Sequence, residues 1–124
     1  MKILITDDIF TNRLLLCEII EDLGHTHLEA ENGKIAIEIL MENNDIDIVL
    51  MDIEMPVMNG IEATKHIRDF FKQPKNNMPI IALTAHNPKI FFDDYKDVGF
   101  DQLLTKPYSV QKIMSLLDSF SKEL

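Results

Sequence analysis

The chain holds a single cysteine, Cys17, among 124 residues, so no internal disulfide can form. That suits a reducing compartment and makes Cys17 a small apolar helix residue. No apolar run approaches the ~20 residues that a membrane-spanning helix requires. Met1-Lys2-Ile3-Leu4-Ile5 is too short, and too soon followed by acids, to be a signal peptide. A cytoplasmic protein with no membrane insertion is expected. Basic runs are also missing: 12 Lys and Arg face 21 Asp and Glu, for a net charge of −9. Direct nucleic-acid binding needs a positive surface that displaces counterions, so it is excluded, and a partner with a basic face fits better. There is no internal repeat, linker or low-complexity tract. One domain spanning 1–124 is expected.

What is present is an alternation. Lys2-Ile3-Leu4-Ile5 reads as a strand. Phe10 to Leu23 reads as a helix, with Leu16, Ile19, Ile20 and Leu23 on one face and Gly24 stopping it. Thr26 to Ala30 is a weaker strand, and Gly33 to Glu42 is a helix. Asp47 to Met51 is a strand whose continuous apolar run, Ile48-Val49-Leu50, marks it as buried and central. Asn59 caps a helix carrying Ile61, Ala63, Ile67 and Phe70. After a polar loop at Gln73 to Asn77, Pro79 to Leu83 is again an apolar strand. Asn87-Pro88 opens a helix, rich in Ile90, Phe91, Phe92, Tyr95 and Val98, that Gly99 ends. Gln102 to Leu104 is a last short strand, and Ser109 caps a last helix using Val110, Ile113, Leu116, Leu117 and Phe120. Five such repeats predict an α/β fold: a doubly wound, five-stranded parallel sheet of order 2-1-3-4-5 with five helices. In that arrangement the site lies beyond the carboxyl ends of the strands, between strands one and three.

Polar residues stand at four of those ends: Asp7-Asp8, Asp52, Thr84 and Lys106-Pro107. Three converging carboxylates repel one another and persist only around a positive charge. A hard divalent cation is the natural partner, and Mg²⁺ keeps waters beside one or two carboxylates; Mn²⁺ is a possible substitute. The backbone carbonyl of Glu54 can add a ligand. Lys106 offsets carboxylate charge and can grip a phosphoryl oxygen, and the Thr84 hydroxyl can bond another. Phosphoryl transfer needs chiefly positioning and charge neutralisation. Asp52 is then left as the attacking group, forming an acyl phosphate.

At these residues the chain closely resembles the receiver domain of two-component response regulators, over essentially its whole length. Asp52-Ile53-Glu54-Met55-Pro56-Val57-Met58-Asn59-Gly60 is similar to the phosphoacceptor segment. Leu83-Thr84-Ala85 and Leu104-Thr105-Lys106-Pro107 are similar to the last two signatures. Asp52 follows Asp8 by 44 residues, Thr84 follows Asp52 by 32, and Lys106 follows Thr84 by 22. The resemblance implies a flavodoxin-like fold and phosphorylation of Asp52 from a partner's phosphohistidine, with Mg²⁺ held by Asp7, Asp8 and Asp52. It implies a cis Lys106-Pro107 bond that aims the lysine inward. It also implies that phosphorylation shifts the face made by the fourth helix, fifth strand and fifth helix, where a downstream protein target binds, with Thr84 moving toward the phosphoryl group. Many receivers carry an aromatic three residues before the lysine, as part of the switch. Here that residue is Leu103, so a smaller or differently routed response is expected. Asn12-Arg13, Leu23-Gly24-His25 and His86 resemble receivers of hybrid histidine kinases and phosphorelays. A histidine kinase or histidine phosphotransfer protein is the implied donor, docking on the first helix.

His86 and Glu54 are expected to tune the lifetime of the phosphoaspartate by controlling water. His25 and His27 read as surface side chains rather than a metal pair, and His66 as an exposed helix residue. Two rivals stand beside a receiver that catalyses only its own phosphorylation, without independent turnover. A haloacid-dehalogenase-like phosphatase also uses an Asp nucleophile, a Thr or Ser and a Lys, but places the nucleophile on its first strand in an Asp-x-Asp motif. A degenerate receiver would serve as a phosphorylation-independent scaffold, against which the intact acids, Thr84 and Lys106 argue.

Overall fold

The computed structural model describes residues 1–85 and 87–121. Five strands and five helices alternate along them. They are β1 (Lys2–Thr6), α1 (Phe10–Asp22), β2 (Thr26–Ala30), α2 (Gly33–Glu42), β3 (Ile48–Asp52), α3 (Gly60–Phe70), β4 (Ile80–Thr84), α4 (Pro88–Tyr95), β5 (Gln102–Thr105) and α5 (Val110–Ser121). A short 3₁₀ turn at Lys75–Asn77 interrupts the polar loop before β4. All strand pairs are parallel, in the order β2-β1-β3-β4-β5. The expected topology is therefore the one observed. No helix among the described residues is long and apolar enough to cross a membrane.

β3 and β4 are buried at every position because helices cover both of their faces. On one face Leu16, Cys17, Ile19 and Ile20 of α1 and Ile113, Leu116 and Leu117 of α5 pack on Ile3, Ile5, Ile48, Leu50, Ile81 and Leu83. On the other, α2 and α3 set Ala36, Ile37, Leu40, Ala63 and Ile67 against Leu4, Val49, Met51 and Ile80. Phe91 of α4 sits on Ile53 and Ala82 in a smaller cluster that also takes in Leu103.

Local signals fix the boundaries. Asn59 forms a capping box with Glu62, each side chain satisfying the other's backbone N–H. The Asn32, Asn87 and Ser109 side chains accept the N–H groups of Ile35, Lys89 and Lys112. α4 stops at Tyr95, short of the expected end; a turn carries the chain to Gly99, whose φ of +113° suits glycine. Arg68 ties this corner together. Its guanidinium donates to the carbonyls of Asn76, Met78 and Gly99 and pairs with Asp101.

Several side chains depart from their sequence reading, among them Val110, which is exposed, and His27, which is half-buried rather than a surface side chain. Phe70, grouped with the apolar set of α3, is exposed, because α3 turns it past the edge of the core. His66 is half-buried rather than exposed, with its ring 5.0 Å from that of Phe70 and 5.9 Å from that of Phe71.

Candidate functional site

β1 and β3 are hydrogen-bonded neighbours, and the connections leaving them run to opposite faces of the sheet. Their carboxyl ends therefore open a crevice. A cleft of about 540 Å³ lies there, lined by Asp8, Asp52, Glu54, Thr84 and Lys106 among others. Five residues singled out in the sequence thus share one cavity. Asp7 lies beneath, fully buried, and its carboxylate and those of Asp8 and Asp52 have oxygens all within 4.8 Å of one another.

The electrostatics are unbalanced. Lys106 Nζ stands 3.5 Å from Asp52 Oδ1, one ammonium against three carboxylates. Asp7 Oδ1 accepts the Ile9 N–H at 2.9 Å, whereas its Oδ2 is buried and has no partner. The Asp52 carboxyl is pushed up to about 6, first by burial and then by the Asp7 charge, with Lys106 pulling the other way. An orphaned buried carboxylate oxygen, an oxygen-only donor set and an uncompensated negative charge fit a hard divalent cation. The site can hold a metal.

The other side chains are placed by the sheet. Thr84 is the last residue of β4 and is buried, and its carbonyl accepts the Lys106 N–H at 2.8 Å. This bond carries the β4–β5 pairing one step past the strand ends, to the lysine. The Lys106-Pro107 bond is cis, as the resemblance implied. Leu103 does not reach the cleft: it pairs with Ala82 and packs half-buried under α4. His86 lies outside the described residues.

Just past Asp52 the chain doubles back. Met58 N–H donates to the Pro56 carbonyl at 2.7 Å around Val57, whose φ is 69°. This is a γ-turn with a β-branched residue in a costly conformation, of the kind that gathers at functional sites. The turn brings the start of α3 against the end of β3. A Cβ on Gly60 would come within 2.0 Å of the Asp52 carbonyl oxygen. Gly60→Ala is therefore expected to destabilise the fold by about 1–3 kcal/mol. Urea unfolding checks this, and a variant as stable as wild type would contradict so close an approach.

One residue was missed from the sequence. The Tyr108 hydroxyl is buried without a partner, and its pKa is raised first by burial and then by the charges of Asp7 and Asp52. Its position two residues after Lys106 was the only available signal.

The family model of the response regulator receiver domain matches residues 3–118. The chain belongs to the response regulator receiver family. This receiver is 33% identical, over 95% of its length and 90% of the relative's, to a chemotaxis protein CheY homolog of Campylobacter jejuni. It is 35% identical over 94% of its length to hybrid signal transduction histidine kinase A of Dictyostelium discoideum, of which it spans only 5%. Among solved structures, the receiver domain of a sensor histidine kinase from Pseudomonas aeruginosa has magnesium coordinated in its active-site cleft. It superposes with a TM-score of 0.84 at 27% identity, covering 96% of this chain and 95% of that one. This receiver is thus a two-component signalling module, of a kind found both in regulators and within hybrid kinases.

Proposed function

We propose that Asp52 is the phosphoacceptor of this receiver and that Asp7, Asp8, Asp52 and the Glu54 carbonyl hold Mg²⁺ beside it. The observation that carries this reading is the convergence of three carboxylates and Lys106, with Asp52 left basic by burial. Without metal this carboxyl is pushed up to about 6, so it is ionised at neutral pH and able to attack phosphorus. As its oxygen bonds to phosphorus, the phosphorus–nitrogen bond of a phosphohistidine breaks and the imidazole leaves. Lys106 and Thr84 take equatorial oxygens in this reading. Magnesium, when bound, neutralises part of the charge on the transferred group. Glu54, exposed at the rim of the cleft, is placed to affect how water reaches the product. Incubation with a small acyl phosphate and Mg²⁺ should add one acid-stable, base-labile phosphoryl group. Sustained turnover of phosphate esters would instead favour the phosphatase.

The donor is a histidine kinase or histidine phosphotransfer protein that docks on α1. The start of that helix exposes Ile9, Phe10, Leu14 and Leu15, an apolar patch directly after the Asp7-Asp8 pair. Phe10→Ala with Leu14→Ala is expected to slow phosphoryl transfer from such a protein on the order of tenfold, in line with interface hot spots of about 1.4 kcal/mol. Uptake from the small donor should be unchanged, and equal slowing with both donors would remove α1 as the dock. Downstream, the α4–β5–α5 face is the proposed output surface, with Leu103 packed beneath α4 in the place of a swinging aromatic.

A further inference from the structure

The described residues also bring together a second ligand set, remote in chemistry from the acidic cleft. Cys17 of α1 and His27 and Glu29 of β2 place a sulfur, a ring nitrogen and a carboxylate oxygen all within 4.8 Å of one another. β2 is an edge strand, and His27 and Glu29, two residues apart, project to the same side of it. α1 covers that side and turns Cys17 toward them, leaving the thiol residue only 5% exposed. His27 Nε2 lies 2.7 Å from a Glu21 carboxylate oxygen. A carboxylate accepts, so Nε2–H donates, and in the neutral imidazole Nδ1 keeps its lone pair. That Nδ1 is buried and has no partner. A carboxylate that fixes one imidazole nitrogen and frees the other is how metal sites orient their histidines.

We propose that Cys17, His27 and Glu29 form a metal site for a borderline-soft divalent cation of the zinc type, with Glu21 orienting His27 and a water completing four-coordination. Sulfur and imidazole donors favour such a cation over Mg²⁺, so the two sites sort ions by donor type. The metal–sulfur bond forms with loss of the Cys17 thiol proton to solvent. Arg13 Nε pairs with one Glu29 oxygen at 3.3 Å, and the Cys17 thiol donates to the Glu29 carboxylate, a bond that the cation replaces. Closure to the roughly 3.5 Å between donors of a tetrahedral site requires Glu29, which is exposed, to shift within its Arg13 pair.

Cobalt(II) titrated into the full chain, with excess Mg²⁺ present and a non-thiol reductant, tests this. One equivalent should bind with a thiolate-to-cobalt charge-transfer band, displaced by Zn²⁺ and not by Mg²⁺. The band should persist in Asp8→Asn and vanish in Cys17→Ala. His27→Gln, at a partly exposed position, should weaken binding tenfold or more, and Glu21→Gln by about tenfold. A wild type without the band, or His27→Gln binding cobalt as tightly as wild type, overturns the site.

Discussion

Asp52→Asn takes up no phosphoryl group from a small acyl phosphate, and without metal it is more stable than wild type at pH 7.5. Both effects have one cause. The Asp52 carboxyl is 4% exposed and faces Asp7, and its pKa rises from 3.8 to about 6 on folding. The folded state therefore holds this proton over a pH range in which the unfolded chain has released it. Stability from this group is fullest below about pH 4 and is lost as pH rises through about 6. Above that, the ionised carboxylate costs on the order of 3 kcal/mol, from 1.4 kcal/mol per tenfold in proton affinity. The neutral amide removes that cost along with the nucleophile. Urea unfolding at pH 5 and pH 7.5 should show the gap between variant and wild type widening with pH. Saturating Mg²⁺ should narrow it, because the cation stabilises only the intact triad. Phosphoryl uptake by the variant would remove Asp52 as the acceptor. A variant less stable than wild type at pH 7.5 would mean that the carboxylate is not under strain.

Asp8→Asn should cost the metal rather than the fold. Asp8 is exposed, so the substitution should change unfolding free energy by no more than about 0.5 kcal/mol. Its carboxylate nevertheless completes a cluster whose one ammonium, among the described residues, lies beside Asp52. Removing one unit charge about 4 Å from a divalent ion at a solvated rim loses about 2 kcal/mol, roughly a 30-fold weaker site. Tryptophan is absent from the chain, so indole fluorescence offers no readout, and Mn²⁺ binding followed by electron paramagnetic resonance does. Phosphoryl uptake at limiting Mg²⁺ should fall in parallel and recover at high Mg²⁺. Unchanged Mn²⁺ affinity would take Asp8 out of the ligand set.

Much of the fold was legible because its signals are local. β3 and β4 announce themselves as unbroken apolar runs, which only a strand covered on both faces sustains. Asn59, Asn87 and Ser109 cap helices through their own side chains within three residues. Less legible were features that depend on what lies across space. Phe70 fits the apolar period of α3, yet beside the His66 ring it stays largely exposed. Periodicity likewise gave no way to see that α4 would end at Tyr95, where the chain turns toward Gly99 and the Arg68 clasp.

The same division runs through the site. The order of Asp7-Asp8, Asp52, Thr84 and Lys106 along the chain, each closing a strand, determined which residues would meet, because a parallel sheet sends every strand's carboxyl end to one edge. Sequence also determined the sign of the charge there. Only the tertiary structure decided how that charge is left unbalanced, since burial depth and partner count are properties of the packed molecule. It placed Asp7 fully inside with one oxygen orphaned, and Asp8 at the rim. It kept Leu103 out of the cleft and brought the Tyr108 hydroxyl near it. It also set Cys17, distant in sequence and unremarkable alone, beside His27 and Glu29, because α1 crosses back over β2.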